Sequence, residues 1–299
     1  MPESALLTIY CLLIASAAFA GGWLPTLLRL SHTGMQVSMS LVGGTMLGVS
    51  ILHLLPHAFM ELRAIYPCVG WMMVGFLSMF FIERVFHFHH HDAPAEHGHD
   101  HAADAHDHHH GHNHGRAHGW KAALVGLALH SAADGMALAA SIAAEPDASG
   151  GWPSMSGLAV FLVIFLHKPF DSLTLSTLMA VKGESMRARH VVNVLYAAAV
   201  PIGVVLFMFG VGHAHAPERQ ILGAALAFSA GTFLCISTSD LLPELQFHAH
   251  DRLKLSAALL LGLAIAIGIV LVESSTHDHG SHGSHDDHSS AEHDAGRAQ

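Results

Sequence analysis

The chain has 299 residues, 52% of them apolar and only 12% charged, about half of the roughly 25% usual for soluble domains, so an ordinary soluble protein is excluded. Its 30 histidines outnumber lysine and arginine together, at 13, and the net charge is −10 with histidine neutral. Ten of the 23 acidic residues fall within residues 87–119 and 274–299, so the acidity lies outside the apolar body and nucleic acid is not an expected partner.

A membrane-crossing helix needs about 20 mostly apolar residues. Eight runs meet that requirement, and the expected fold is all-α: a polytopic membrane protein with eight transmembrane helices. The first run, Ala5–Leu28, ends in Ala18-Phe19-Ala20, which resembles a signal-peptidase site. It carries Glu3 and no Lys or Arg ahead of its apolar stretch, so it reads as a retained helix. The second, Gln36–Met60, contains His53-Leu54-Leu55-Pro56-His57, and the third, Val69–Phe86, has Glu83 near its end. Residues 87–119 follow, with fourteen histidines between His87 and His118. The fourth span, Trp120–Ala144, carries His130-Ser131-Ala132-Ala133-Asp134-Gly135, and the fifth, Ser156–Val181, carries His167-Lys168-Pro169-Phe170-Asp171. Val191–Gly212 is the sixth span. Ile221–Leu245, the seventh, contains Asp240-Leu241-Leu242-Pro243-Glu244, and Leu253–Val272 is the eighth. Residues 274–299 hold six more histidines.

The organisation is therefore residues 1–86 with three spans, 87–119 as a His-rich loop, 120–273 with five spans, and 274–299 as a His-rich tail. Both polar segments are runs of His, Asp, Gly, Ala and Ser, with too little apolar content to offset ordering entropy, and disorder is expected in each. Cys11, Cys68 and Cys235 stand isolated in apolar runs, which gives neither a disulfide framework nor a thiolate zinc knuckle. No GxxxxGK[ST] loop is present, so ATP-driven pumping by this chain alone is not expected.

Orientation follows from basic residues in the short loops. The odd-numbered loops hold Arg29, Arg84, Arg116, Lys121, Lys182, Arg187, Arg189, Arg252 and Lys254, whereas the even-numbered ones hold Arg63 and Arg219. Nine against two puts the odd loops in the cytoplasm and both termini outside, in the cell membrane, or the inner membrane if the source is bacterial.

Ionisable side chains inside a span are costly and usually face a bundle interior or a water-filled path. In both the fourth and fifth spans a His precedes an Asp by four residues, which stacks the pair on one helical face. His130 is ten residues into its span and His167 eleven into its own, about 15 Å along each helix, which is near the middle of a bilayer core roughly 30 Å thick. Two imidazoles and two carboxylates at that depth would suit tetrahedral Zn²⁺ and would accept Fe²⁺, Mn²⁺, Co²⁺ or Cd²⁺. The plainer alternative is a structural polar cluster in which each His bonds a neighbouring helix and Asp134 pairs with Lys168. Pro169 frees the carbonyl of Phe165 and permits a kink beside these residues. His53 and His57, Glu83, Asp240 and Glu244 read either as way stations along a path or as interfacial residues in water.

With these motifs in hand, the sequence resembles the ZIP (Zrt-, Irt-like) family of divalent metal transporters. The resemblance rests on the fourth- and fifth-span motifs, on GTMLGVSILHLLPHA at residues 44–58 and on GTFLCISTSDLLPEL at residues 231–245. It implies uptake of Zn²⁺ toward the cytosol, in a homodimer, by a unit of the fourth and fifth spans that moves against a scaffold. His130, Asp134, His167 and Asp171 take the places of the primary metal ligands. Some members hold a second metal through an Asn after the fourth-span His, an acid after the first fifth-span ligand and a Glu before a sixth-span proline. Here those places hold Ser131, Lys168 and Val200, the last before Pro201, which implies a mononuclear site with the Lys168 ammonium in the second metal's position. The expected activity is a secondary transporter or facilitator, not an enzyme, with metal as cargo, the lipid bilayer as surroundings and no organic cofactor. The rivals are a cation diffusion facilitator exporter, which has six spans and a folded cytosolic domain, and an intramembrane zinc hydrolase. The hydrolase would need an open coordination position.

Overall fold

The computed structural model describes residues 3–27, 32–86, 119–144, 156–213, 216–247 and 252–278. The regular elements of these residues are all helical: α1 (Glu3–Leu27), α2 (His32–Val49), α3 (Leu55–Leu62), α4 (Ile65–Phe86), α5 (Gly119–Ala144), α6 (Leu158–Val181), α7 (Met186–Ala197), α8 (Ala199–His213), α9 (Glu218–Phe247) and α10 (Arg252–Asp278). They make eight segments long and apolar enough to cross a membrane, and the chain is a multi-pass membrane protein. Residues 87–118 and 279–299, which hold most of the His-rich loop and tail, lie outside the described residues.

Two spans are compound. The second runs over Thr33–Leu62 and joins α2 to α3 through one wide turn, Ser50–Leu54, closed by the Leu55 N–H on the Ser50 carbonyl five residues back. Pro56 has no N–H to continue the ordinary ladder there, and the widened turn takes up the mismatch. The Ser50 hydroxyl donates to the Ala230 carbonyl of α9 at 2.7 Å and pins the turn to that helix. The sixth span starts at Met186, five residues ahead of the expected Val191, because the Ser185 side chain accepts from the Ala188 N–H and caps α7. It breaks at Ala198, three residues before Pro201, whose ring and missing N–H cannot extend the last turn of α7. Pro169, by contrast, sits inside an unbroken α6. The eighth span ends at Val272, as expected, while its helix, α10, runs on to Asp278.

In hydrocarbon the apolar exterior gives no force between helices, so association rests on close packing and interhelical hydrogen bonds. Large apolar side chains such as Leu260, Leu261 and Leu271 of α10, and Trp71, Leu77 and Phe81 of α4, stand outward. Inside, α5 and α8 meet backbone to backbone. A Cβ on Gly135 would lie 2.2 Å from the Val200 carbonyl oxygen, and one on Gly203 would lie 2.1 Å from that of Ala132. The main core gathers Ile14, Leu54, Val163, Ile164, Leu226 and Phe233, and a second cluster packs Tyr196 against Leu127, Leu175 and Met179.

Contacts at the helix ends define two faces of the bundle. On one, Arg219 at the start of α9 donates to Glu61 at the end of α3, at 2.9 Å. On the other, Trp23 of α1 donates to His190 of α7 at 2.9 Å, and Ser239 of α9 donates to Glu83 of α4 at 3.2 Å.

Candidate metal centre

α5 and α6 run in opposite directions, so the two His-x-x-x-Asp pairs meet crosswise: His130 lies level with Asp171 and Asp134 level with His167. His130 Nε2 is 3.5 Å from Asp134 Oδ2 and 3.6 Å from Asp171 Oδ2. His167 Nε2 is 3.3 Å and 3.9 Å from the same two oxygens. A tetrahedral ion with ligands at about 2.0–2.2 Å keeps them about 3.4 Å apart, so these four separations have the size of tetrahedral edges. His130, Asp134 and His167 are buried and form the tightest group, with ligand atoms all within 4.8 Å of one another. Asp171 stands at the margin, its side chain 16% exposed.

Protonation follows from the partners. His167 Nδ1 lies 2.8 Å from the Val163 carbonyl, which can only accept, so in the neutral imidazole the proton is on Nδ1 and the Nε2 lone pair is turned toward Asp134. Such a backbone bond is the usual support of a metal-ligating histidine. In that neutral form Nε2 and the carboxylate oxygen, 3.3 Å apart, are both acceptors, a pairing that a cation beside them stabilises. His130 Nδ1 and Asp134 Oδ1 are buried with no hydrogen-bond partner among the described residues, an arrangement that is costly unless the site takes up a further group.

One cation is built in. The Lys168 ammonium, 1% exposed, donates to Asp134 Oδ2 and, at 3.2 Å, to Asp171 Oδ2. The pairing of Asp134 with Lys168, weighed above as the plainer alternative, is therefore present within the same cluster as the two histidines. Gly21 of α1 lets the α6 backbone come close at this level, since a Cβ there would lie 2.3 Å from the Pro169 carbonyl oxygen.

Sequence reasoning missed Tyr196. Its hydroxyl donates to Asp171 Oδ2 at 3.0 Å, it lies 2.8 Å from Ser131 Oγ, and its ring centroid is 5.8 Å from Lys168 Nζ. The available signal was a tyrosine in an apolar span, whose hydroxyl needs a partner when buried. The single hydroxyl proton of Ser131 has two acceptors within reach, the Tyr196 oxygen at 2.8 Å and the Leu127 carbonyl at 2.7 Å.

His53 is buried on the wide turn, and its ring centroid is 4.5 Å from that of His57, one turn further along. Glu83 is on the opposite face, bonded to Ser239. Asp240 and Glu244 fall on the last turns of α9, and their side chains lie outside the described residues.

The fold is that of a multi-pass helical membrane protein, with paired imidazoles and carboxylates midway along two antiparallel spans forming a candidate cation site. The model of one family, the ZIP zinc transporters, matches residues 5–123 and 121–272, and the chain belongs to that family. Among curated proteins it is 34% identical over 167 residues to the zinc transporter ZIP9 of Micropogonias undulatus, a match covering 52% of this chain and 51% of that one. It is 34% identical over 166 residues to the zinc transporter ZIP9-B of Xenopus laevis, covering 52% of each, and 36% identical over 132 residues to the zinc transporter ZIP9 of Macaca fascicularis, covering 43% of this chain and 53% of that one. The chain spans about half the length of the curated relatives it matches.

Proposed function

We propose that this protein moves divalent metal, zinc foremost, across the cell membrane into the cytoplasm, holding one ion at a time between His130, Asp134, His167 and Asp171. The observation that carries this reading is the crosswise meeting of the four side chains, with four His–Asp separations of 3.3–3.9 Å, midway along membrane-length helices. Family membership and the zinc named for its relatives support the choice of cargo. The donor set also suits Fe²⁺, Mn²⁺, Co²⁺ and Cd²⁺.

Lys168 supports a single ion. With its ammonium in place, two carboxylates and one dication leave one excess positive charge, and a second dication would raise that to three in a water-poor setting. Metal would arrive from the face of Glu61, passing His57 and His53. It would leave toward Glu83, Asp240, Glu244 and the His-rich loop as α5 and α6 shift against the other spans. External termini and a homodimer belong to the same reading, which the loop charge bias and the family resemblance respectively support. An exporter of the six-span kind fits eight spans poorly, and a hydrolase is disfavoured because four protein ligands would fill the tetrahedron.

The test is Zn²⁺ uptake by proteoliposomes carrying the full chain. His130→Ala and Asp171→Ala each reduce uptake at least tenfold, on the order of one lost ligand, with protein incorporation unchanged. Normal uptake by both variants contradicts the reading.

A further inference from the structure

The sixth span offers Val200 where some relatives of this architecture carry an acidic ligand, yet the same span reaches the site through Tyr196. We propose that Tyr196 is a positioning residue for the cargo: its hydroxyl holds the Asp171 carboxylate in the orientation that accepts the metal. The proposal rests on the reading of Asp171 as a ligand given above.

Of the four candidate ligands Asp171 is the least confined. Its side chain is 16% exposed, against 4% for His130, 1% for Asp134 and 7% for His167, and it stands outside the tight three-residue group. Its Oδ2 takes two donors: Lys168 Nζ at 3.2 Å and Tyr196 Oη at 3.0 Å. The Lys168 ammonium is bound to the carboxylates that a dication would engage, and the two cations repel, so its bond to Asp171 Oδ2 weakens as metal enters even while its charge stays in the site. The tyrosine hydroxyl is neutral and meets no such repulsion. It would then be the main donor fixing the carboxylate while the ion is bound.

Tyr196 itself is well anchored. A carboxylate can only accept, so the phenolic proton goes to Asp171, and the free phenolic lone pair faces Ser131 Oγ at 2.8 Å. The ring is 2% exposed and packed on Leu127, Leu175 and Met179. The break at Ala198 lets α7 and α8 be held separately. Asn193 of α7 donates to the Phe19 carbonyl of α1 at 3.1 Å, and α8 is locked to α5 through Gly135 and Gly203. Tyr196 stands at the junction, so the position of Asp171 is tied to the sixth span as well as to its own helix.

The experiment is a double-mutant cycle on initial Zn²⁺ uptake rates in proteoliposomes, with KM and Vmax separated. Tyr196→Phe keeps the ring and removes the hydroxyl. It is expected to raise KM about tenfold, the size of one hydrogen bond to a charged group, with Vmax within about twofold. Asp171→Asn also raises KM, and adding Tyr196→Phe to it changes KM by less than about twofold, because the group through which the tyrosine acts is already altered. If Asp171→Asn raises KM but Tyr196→Phe does not, or the two effects multiply, Tyr196 acts by packing alone and the proposal fails while the site reading stands. If Asp171→Asn leaves KM unchanged, the site reading fails and the proposal with it. Should Tyr196→Phe not incorporate as folded protein, Ser131→Ala, which removes the partner of the phenolic oxygen, is run through the same cycle. It must raise KM in the wild-type background and not in Asp171→Asn.

Discussion

At the scale of single residues, the centre is governed by which atoms can donate. Asp134 Oδ2 and Asp171 Oδ2 are the shared acceptors, and His167, its proton held by the Val163 carbonyl, presents a lone pair to them. Among the described residues, Lys168 is then the one fixed positive charge in contact with both carboxylates. On the proposed reading, an incoming dication competes with that ammonium. Lys168→Ala is therefore expected to keep Zn²⁺ uptake and to lower the apparent KM severalfold, read from initial rates at varied Zn²⁺. Loss of uptake with normal incorporation would show instead that the ammonium is needed to hold the helices together. The residue types and the four-residue spacing of His130 with Asp134 and of His167 with Asp171 were legible in the sequence. The part of Tyr196 was not. Nothing in LYAAAV at residues 195–200 separates a core tyrosine from one that reaches a carboxylate 25 positions away, because that contact depends on how α7 lies against α6.

At the scale of elements, hydropathy alone finds the eight crossings, since every one of them is a long apolar run. It misjudges their ends where polar caps extend a helix, as Ser185 does for α7, and it cannot see breaks. Pro56, Pro169 and Pro201 look alike as letters, yet they coincide with a wide turn, an unbroken helix and a two-helix span respectively. The outcome depends on how neighbouring helices hold the segment, as the Ala230 carbonyl does in accepting from the Ser50 hydroxyl at the wide turn. The contact between α5 and α8 is the element-level feature most exposed to substitution. Gly203→Ala would set a methyl group 2.1 Å from the Ala132 carbonyl oxygen, and backbone cannot yield as a flexible side chain can. Forcing the two helices apart is expected to cost about 1–3 kcal/mol, seen as a clear fall in the thermal midpoint in detergent. Gly210→Ala on the same helix, with nothing within 4 Å of its Cβ, serves as the control and is expected to leave the midpoint unchanged or slightly raised. Equal behaviour of the two variants would contradict the packing account.

At the scale of the whole molecule, the 30 histidines divide by position. Twenty lie in the two polar segments, and on the proposed reading these gather or sense metal, whereas His130 and His167 do the carrying. The contact of Glu61 with Arg219 on one face and that of Glu83 with Ser239 on the other leave the His–Asp cluster between two ends that each bear acidic groups. A cation path has that form, with attraction at both mouths and coordination in the middle. The central claim is that a single cargo ion sits at the crossing of α5 and α6. Anomalous X-ray diffraction at the zinc edge, from crystals of the full chain grown with Zn²⁺, tests it most directly. The account predicts one intramembrane peak, bonded by His130, Asp134, His167 and Asp171 at about 2.0–2.2 Å. Two peaks within about 4 Å of each other, or an ion elsewhere with these four side chains unoccupied, would contradict it.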